Sequence, residues 1–199
     1  EVSRFAKTTM DEVRQAILEL KGKGMKDLIL DLQGNGGGML RTAIEMSDEF
    51  LSGDKLLVCT EGRAFPREDT FAEYEGLFEK GRLVVLIDEA SASASEIVSG
   101  AVQDWDRGLV MGRRSFGKGL VQRPMRLPDG SAVRLTVQKY YTPSGRCIQK
   151  PYDDGVEASR KEKFERLERG ELLSLDSLDL PDSLLFETRI LKREVYGGG

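Results

Sequence analysis

Two rhythms of apolar positions alternate along this chain. Short continuous apolar runs, the mark of strands covered on both faces, occupy residues 27–32 (DLILDL), 56–60 (LLVCT), 83–87 (LVVLI) and 109–111. Residues 1–5 read as the end of a further strand. Between the runs, apolar residues recur at helical spacing. Met10, Val13, Ile17, Leu18 and Leu20 predict a helix from Thr8 or Thr9 to about residue 23. Thr9-x-x-Glu12 matches a capping box there, and Gly22 and Gly24 close the helix. Further helices are predicted over residues 40–51, 69–80 (through Phe71, Tyr74, Leu77 and Phe78) and 93–105 (through Ile97, Val98, Ala101 and Val102). Strands over 120–127 and 131–141 flank Pro128-Asp129-Gly130, a turn signal that predicts a β-hairpin. From Pro143 the pattern turns polar. A loop is expected over 150–155, a densely charged helix over 158–169, a loop or short strand over 174–181 and an amphipathic helix over 182–191. Strands alternating with helices predict an α/β fold with a mostly parallel sheet, plus the one hairpin.

Length and composition narrow this picture. A chain of 199 residues with 39% hydrophobic residues is long enough to bury a core without help from a metal or disulfide. The net charge of −4, with few aromatics and no basic stripe, gives nucleic-acid binding no electrostatic support. No apolar run approaches the roughly 20 residues of a membrane span, and the N-terminus has no signal-peptide pattern. The start at Glu1 and the three terminal glycines read as cuts through a longer protein. Cys59 and Cys147 lie far apart and outside any CxxC pattern. A buried free thiol is the favoured reading of Cys59; a Cys59–Cys147 disulfide stays open. With two cysteines and no histidine, no zinc site is expected.

The strand at 27–32 runs straight into QGNGGG, residues 33–38. A tight βα turn is the leading local reading. A phosphate loop lacks its following Lys-Ser/Thr, and Gly34, Gly36, Gly37 and Gly38 do not fit GxGxxG. An oxyanion hole is the other functional reading. Consecutive glycines let backbone N–H groups approach a substrate carbonyl, and a helix N-terminus adds partial positive charge.

The strand at 83–87 leads into Ser91-Ala92-Ser93-Ala94-Ser95-Glu96, and Lys118 follows between Gly117 and Gly119. Ser93-x-x-Glu96 is itself a capping box, so the bland reading of this serine is a helix cap. For Lys118 it is a solvated loop lysine. A serine at a helix start after a buried strand is also where several hydrolase folds present a nucleophile, with the next amide, that of Ala94, aimed at the oxyanion. In a chain without histidine the base for such a serine must be of another kind, and lysine can serve. A lysine base must be neutral near working pH, against a reference value of about 10.4, and a depression of about 3 pH units costs about 4 kcal/mol. Desolvation supplies that, and Phe116 and Leu120 are apolar company for Lys118.

SASASEI followed by FGKG-x-VQ resembles the signature of the C-terminal processing peptidases, or tail-specific proteases. RFAKTT, LILDL-x-GNGGG and YYTPSGR-x-IQ resemble further family segments, so the likeness extends over most of the chain. It implies a ClpP/crotonase-like core with Ser93 as nucleophile and Lys118, 25 positions on, as base. It implies Gln122 as the residue orienting the lysine, Ala94 and Gly37 (Gly36 as near alternative) as oxyanion-hole amides, and Asp104 in a supporting role. Gln33 stands where the family usually has arginine, which bears on how the glycine loop is anchored. The implied activity is a serine endopeptidase cleaving proteins near accessible C-termini, in the periplasm or cell envelope, with no cofactor or metal. A PDZ domain is expected in the full-length protein. The chain divides into a peptidase core, residues 1–150, and a C-terminal helical extension packing on it, residues 151–199. Two other readings stand beside this one. The first is a non-catalytic ligand- or peptide-binding protein on the same fold. The second is a crotonase-like acyl-CoA enzyme using the glycine loop.

Overall fold

The helix Ala94–Asp104 is buried along almost its whole length, and the fold is arranged around it. A computed structural model describes residues 1–150, 155–173 and 180–198. Its elements in chain order are α1 (Thr9–Gly22), β1 (Leu28–Asp31), α2 (Leu40–Asp48), β2 (Leu56–Glu61), β3 (Glu68–Phe71), β4 (Leu83–Ile87), α3 (Ala94–Asp104), β5 (Leu109–Gly112), β6 (Leu120–Arg126), β7 (Ala132–Tyr141), α4 (Gly155–Glu168), β8 (Leu185–Glu187) and β9 (Glu194–Tyr196). The strands β1, β4 and β5 form a parallel sheet in the order β1-β4-β5, with Leu30 opposite Val85 and Val85 opposite Val110. A second, antiparallel sheet has the order β3-β2-β7-β6, and a small β8-β9 pair stands apart from both.

The α/β class read from the sequence holds. The antiparallel part is larger than the hairpin alone, because β2 joins β7 through Cys59 opposite Tyr141. Helix α3 packs against β4 and β5 on one side and against α2 and β2 on the other, so it lies between the two sheets. Such a position demands small or apolar residues all round. Ile97, Val98 and Val102 enter the main core with Leu32, Val85, Met46 and Phe50. Ala101 enters a satellite core with Leu51, Leu57 and Ala72.

Several local expectations are overturned by tertiary contacts. The amphipathic pattern at 69–80 is not a helix: β3 pairs with β2, and the chain then turns across the end of α2. There the Asp48 carboxylate accepts the Glu73 and Tyr74 amides, and Glu49 Oε2 accepts that of Leu77. These acids offer the backbone an alternative to helical bonds. The final helix expected over 182–191 is instead a short 3-10 turn (Asp182–Leu184) followed by β8. Asp106 captures the Ile190 and Leu191 amides, leaving both side chains exposed. The Thr9-x-x-Glu12 capping box is absent, because Thr9 lies inside α1 and its hydroxyl bonds the Arg4 carbonyl and the Ala6 amide. Leu18 and Leu20 of that helix face solvent. Both cysteines are free; burial, reinforced by Asp69, pushes the Cys59 thiol up to about 11. The loop expected at 151–154 and most of the stretch expected at 174–181 lie outside the described residues. Among the described residues no helix is long and apolar enough to cross a membrane.

Asp104 ends α3 with no solvent exposure. Its Oδ1 accepts Arg146 Nη2 at 2.5 Å, and its Oδ2 accepts the Ser144 amide at 2.8 Å. It therefore pins the 142–146 turn to the central helix. Asp104→Ala leaves Arg146 buried without a counter-charge, and is expected to lower stability by about 3–5 kcal/mol in urea unfolding.

Candidate active site

Three serines compete for the role of nucleophile, and their hydrogen bonds separate them. Ser91 is fully buried; its Oγ donates to the Leu32 carbonyl at 2.8 Å and accepts the Asp88 amide at 2.9 Å. Ser95 is also fully buried, its Oγ donating to the Asn35 carbonyl at 2.8 Å. Both hydroxyls are spent on joining the end of β4 to the loop after β1. Ser93 alone is partly open to solvent, at the start of α3. Its backbone is left-handed (φ 56°, ψ −107°), a conformation costing a non-glycine residue on the order of 1–3 kcal/mol. The capping box read from the sequence is present, with the Ser93 amide donating to Glu96 Oε2 at 2.7 Å.

The glycine loop lies against this turn. Asn35, fully buried, donates Nδ2 to the Val2 carbonyl at 2.6 Å, and its own carbonyl accepts the Ala92 amide at 3.0 Å. A side chain on Gly37 (φ +94°) would sit 2.6 Å from the Ala92 carbonyl and 2.9 Å from both the Ala94 nitrogen and Ser93 Cβ, so only glycine fits. The structure therefore brings Gly37 against Ser93 and Ala94. Its N–H, however, donates to Asn35 Oδ1 at 2.8 Å. A side chain on Gly36 would meet nothing within 4 Å, so that stretch of the loop is open.

The loop is anchored by two carboxylates through its backbone amides. The Gln33 amide donates to Asp31 Oδ1 at 2.9 Å, and that of Gly34 to Asp88 Oδ1 at 3.0 Å. Burial pushes the Asp88 carboxyl up, but the amides of Gly34, Ala90 and Ser91 and the Ser91 hydroxyl outweigh it and hold it below the usual carboxylate range.

Lys118 arrives on the loop between β5 and β6, and the hydrogen bonds of that loop converge on one side chain. Glu96, 4% exposed, accepts the Ser115 hydroxyl (2.7 Å) and the Gly117 amide (2.6 Å) at Oε1. Its Oε2 accepts the Lys118 amide at 2.9 Å, beside that of Ser93. Burial pushes this carboxyl up, and the four donors oppose the shift. The Phe116 amide also donates to the Ser91 carbonyl at 3.0 Å. The flanking glycines have a steric reason: a side chain on Gly117 would collide with the Gly198 carbonyl and Lys150 Cβ, and one on Gly119 with the backbone at Gln149.

The backbones of Ser93 and Lys118 thus share one carboxylate oxygen. The Lys118 side chain is half-buried, and among the described residues no hydrogen bond joins its Nζ to Ser93 Oγ. Gln122 lies exposed on β6, and no hydrogen bond to Lys118 is formed there.

Sequence reasoning found Glu96 only as a cap and gave Asn35 no part. The signal for Glu96 was its glutamate in an otherwise small and apolar helix start. For Asn35 it was the one side chain among the glycines of residues 34–38.

A strained serine at the start of a buried helix thus lies against a glycine loop and is joined to a lysine-bearing loop through a buried acid, in an α/β fold. Comparison with known proteins gives the family: the model of peptidase family S41 matches residues 1–159, and the chain belongs to that family. It is similar to the carboxy-terminal-processing protease of Bartonella bacilliformis, 41% identical over 151 residues covering 73% of this chain and 35% of that protein. The chloroplastic C-terminal processing peptidase of Tetradesmus obliquus is 36% identical over 149 residues, 75% of this chain and 32% of that protein. Among solved structures, a photosystem II D1 C-terminal processing protease matches with a TM-score of 0.67 and 37% identity, covering 74% of this chain and 38% of that one. The chain spans about a third of the length of the curated relatives it matches.

Two measurements check this architecture. In Glu96→Gln, whichever way the amide turns, two of the four donors face an NH2 group. Each buried donor left unpaired costs about 1–3 kcal/mol, which urea unfolding should register. For Asp88, the lowered carboxyl contributes stability above its unfolded value of about 3.9 and loses it as pH falls through the lower folded value. The urea midpoint of Asp88→Asn is therefore expected to fall less steeply than that of the parent below about pH 4.

Proposed function

We propose that this chain is the catalytic core of a serine endopeptidase that uses Ser93 and Lys118 as a nucleophile–base pair. The observation that carries the reading is the shared Glu96 oxygen, at 2.7 Å from the Ser93 amide and 2.9 Å from that of Lys118, which holds the two backbones together. Neutral Lys118 takes the Ser93 proton as Oγ attacks the scissile carbonyl. The oxyanion is stabilised by the Ala94 amide at the start of α3 together with a glycine-loop amide. Gly37 fills that place once its N–H leaves Asn35 Oδ1, and Gly36 is the neighbouring alternative. The tetrahedral intermediate collapses as Lys118 returns the proton to the leaving amine. Lys118 then takes a proton from water as it attacks the acyl-enzyme, and returns that proton to Ser93 Oγ as the ester bond breaks and the new C-terminus leaves. Gln122 is assigned the orientation of the Lys118 amine.

The substrates proposed are proteins with accessible C-termini, cleaved near that end, in the periplasm or cell envelope, with a PDZ domain in the full-length protein presenting the tail. Residues 1–150 are taken as the peptidase core and 151–199 as an extension packed on it. The reading is tested by cleavage of fluorescently labelled casein and by fluorophosphonate labelling of Ser93. Lys118→Ala and Ser93→Ala are each expected to lower cleavage at least about 10³-fold, to the level of residual binding and oxyanion stabilisation. Cleavage at parental rate in either variant sinks the pair.

A further inference from the structure

The amide side of the lysine loop belongs to Glu96; its carbonyl side is held by a residue beyond the family match. Arg166, in α4, is 3% exposed. Its Nη2 donates to the Arg114 carbonyl at 2.9 Å and its Nη1 to the Ser115 carbonyl at 3.3 Å. Its Nε donates to Glu171 Oε1 at 2.7 Å, and the Glu171 side chain is itself only 5% exposed. A planar guanidinium with a fixed fork can serve two carbonyls and a carboxylate at once. Residues 114–118 therefore run between a buried anion that takes the Gly117 and Lys118 amides and the Ser115 hydroxyl, and a buried cation that takes the Arg114 and Ser115 carbonyls.

Among the described residues no other donor reaches the Arg114 and Ser115 carbonyls, although the Ser115 hydroxyl and the Phe116 amide are held by Glu96 and Ser91. A cavity of about 230 Å³ lies beside the loop, lined by Glu96, Arg114, Ser115 and Gly198 among others, so close packing does not fix that flank. Arg114 is a poor substitute. Among the described residues its Nε is buried without a partner, its Nη2 donates to the Gly198 carbonyl at 3.1 Å, and its ion pairs to Glu162 and Glu171 are long, at 3.8 Å and 3.6 Å. The Lys150 amide bonds the Gly117 carbonyl at 3.0 Å, which constrains the loop further along but not at residues 114 and 115.

We infer that Arg166, held by Glu171, is a positioning residue for Lys118, so that catalysis in this chain draws on a segment outside the family-matched residues 1–159. This rests on the Ser93–Lys118 pair proposed above. Arg166 touches no reacting atom; it acts by fixing the backbone from which the base reaches the nucleophile. A displacement of about 1 Å in such a site costs on the order of 100-fold in rate.

The test separates positioning from stability. Replacing a buried ion pair with apolar residues of similar volume is often neutral for stability. The double variant Arg166→Met/Glu171→Met is therefore expected to melt within a few degrees of the parent. Its kcat on labelled casein should fall about 10- to 100-fold with KM nearly unchanged. Independently of turnover, amide hydrogen exchange over residues 115–118 should speed up at least about 10-fold while that of α3 and β1 stays parental. If the double variant does not fold, Arg166→Lys is read instead. An ammonium cannot span both carbonyls, and an intermediate loss of kcat with faster loop exchange is expected. Parental kcat and exchange in the folded variant overturn the role of Arg166, and leave the pair intact provided Lys118→Ala is inactive. Cleavage surviving in Lys118→Ala overturns the pair, and the positioning role with it.

Discussion

Burying a carboxylate is costly unless its lone pairs find donors, and Glu96 finds four. Those donors come from the Ser93 turn and from the Lys118 loop, two stretches that the Phe116 amide also joins through the Ser91 carbonyl. The acid sits on α3, which both sheets enclose, so it cannot escape to water by a small movement. The cheapest state for the whole core is then the one in which the Ser93 turn and the Lys118 loop close around it. The placing of these two segments is a condition of folding rather than a decoration added to it.

The same logic extends outward through polar atoms that have no chemistry of their own. Parallel pairing of β1 and β4 brings their C-terminal ends side by side, so the loops that leave them share a floor. Ser91, Ser95 and Asn35 fasten those loops together, and Asp88 closes the β4 turn against Gly34. This clamping offsets the left-handed backbone at Ser93, which would relax in an isolated peptide.

Much of this was readable before any coordinates. The strands of the parallel sheet are continuous apolar runs, and the capping box at Ser93 and Glu96 stands in the sequence as in the structure. What failed did so for identifiable reasons. Residues 69–80 carry a helical period, but Asp48 and Glu49, more than twenty positions earlier, take their amides. Asp106 does the same to residues 190 and 191 from over eighty positions away. The spacing Ser93-x-x-Glu96 reveals one partner of Glu96 and hides three, because the others are long-range. Arg166 was the least visible of all: in a densely charged helix an arginine reads as a solvated side chain, and its carbonyl partners lie about fifty positions upstream.

The spread of these partners along the chain also sets an order of assembly. Ser93, its helix and the glycine loop all precede residue 115, yet Glu96 has only one of its four donors until residues 115–118 exist. The carbonyls of Arg114 and Ser115 then wait for Arg166. During synthesis from the N-terminus Ser93 is made early, but the surroundings that hold it are completed by later stretches of chain. A ribosome-bound chain of this sequence would carry that serine for some seventy residues before its setting was finished.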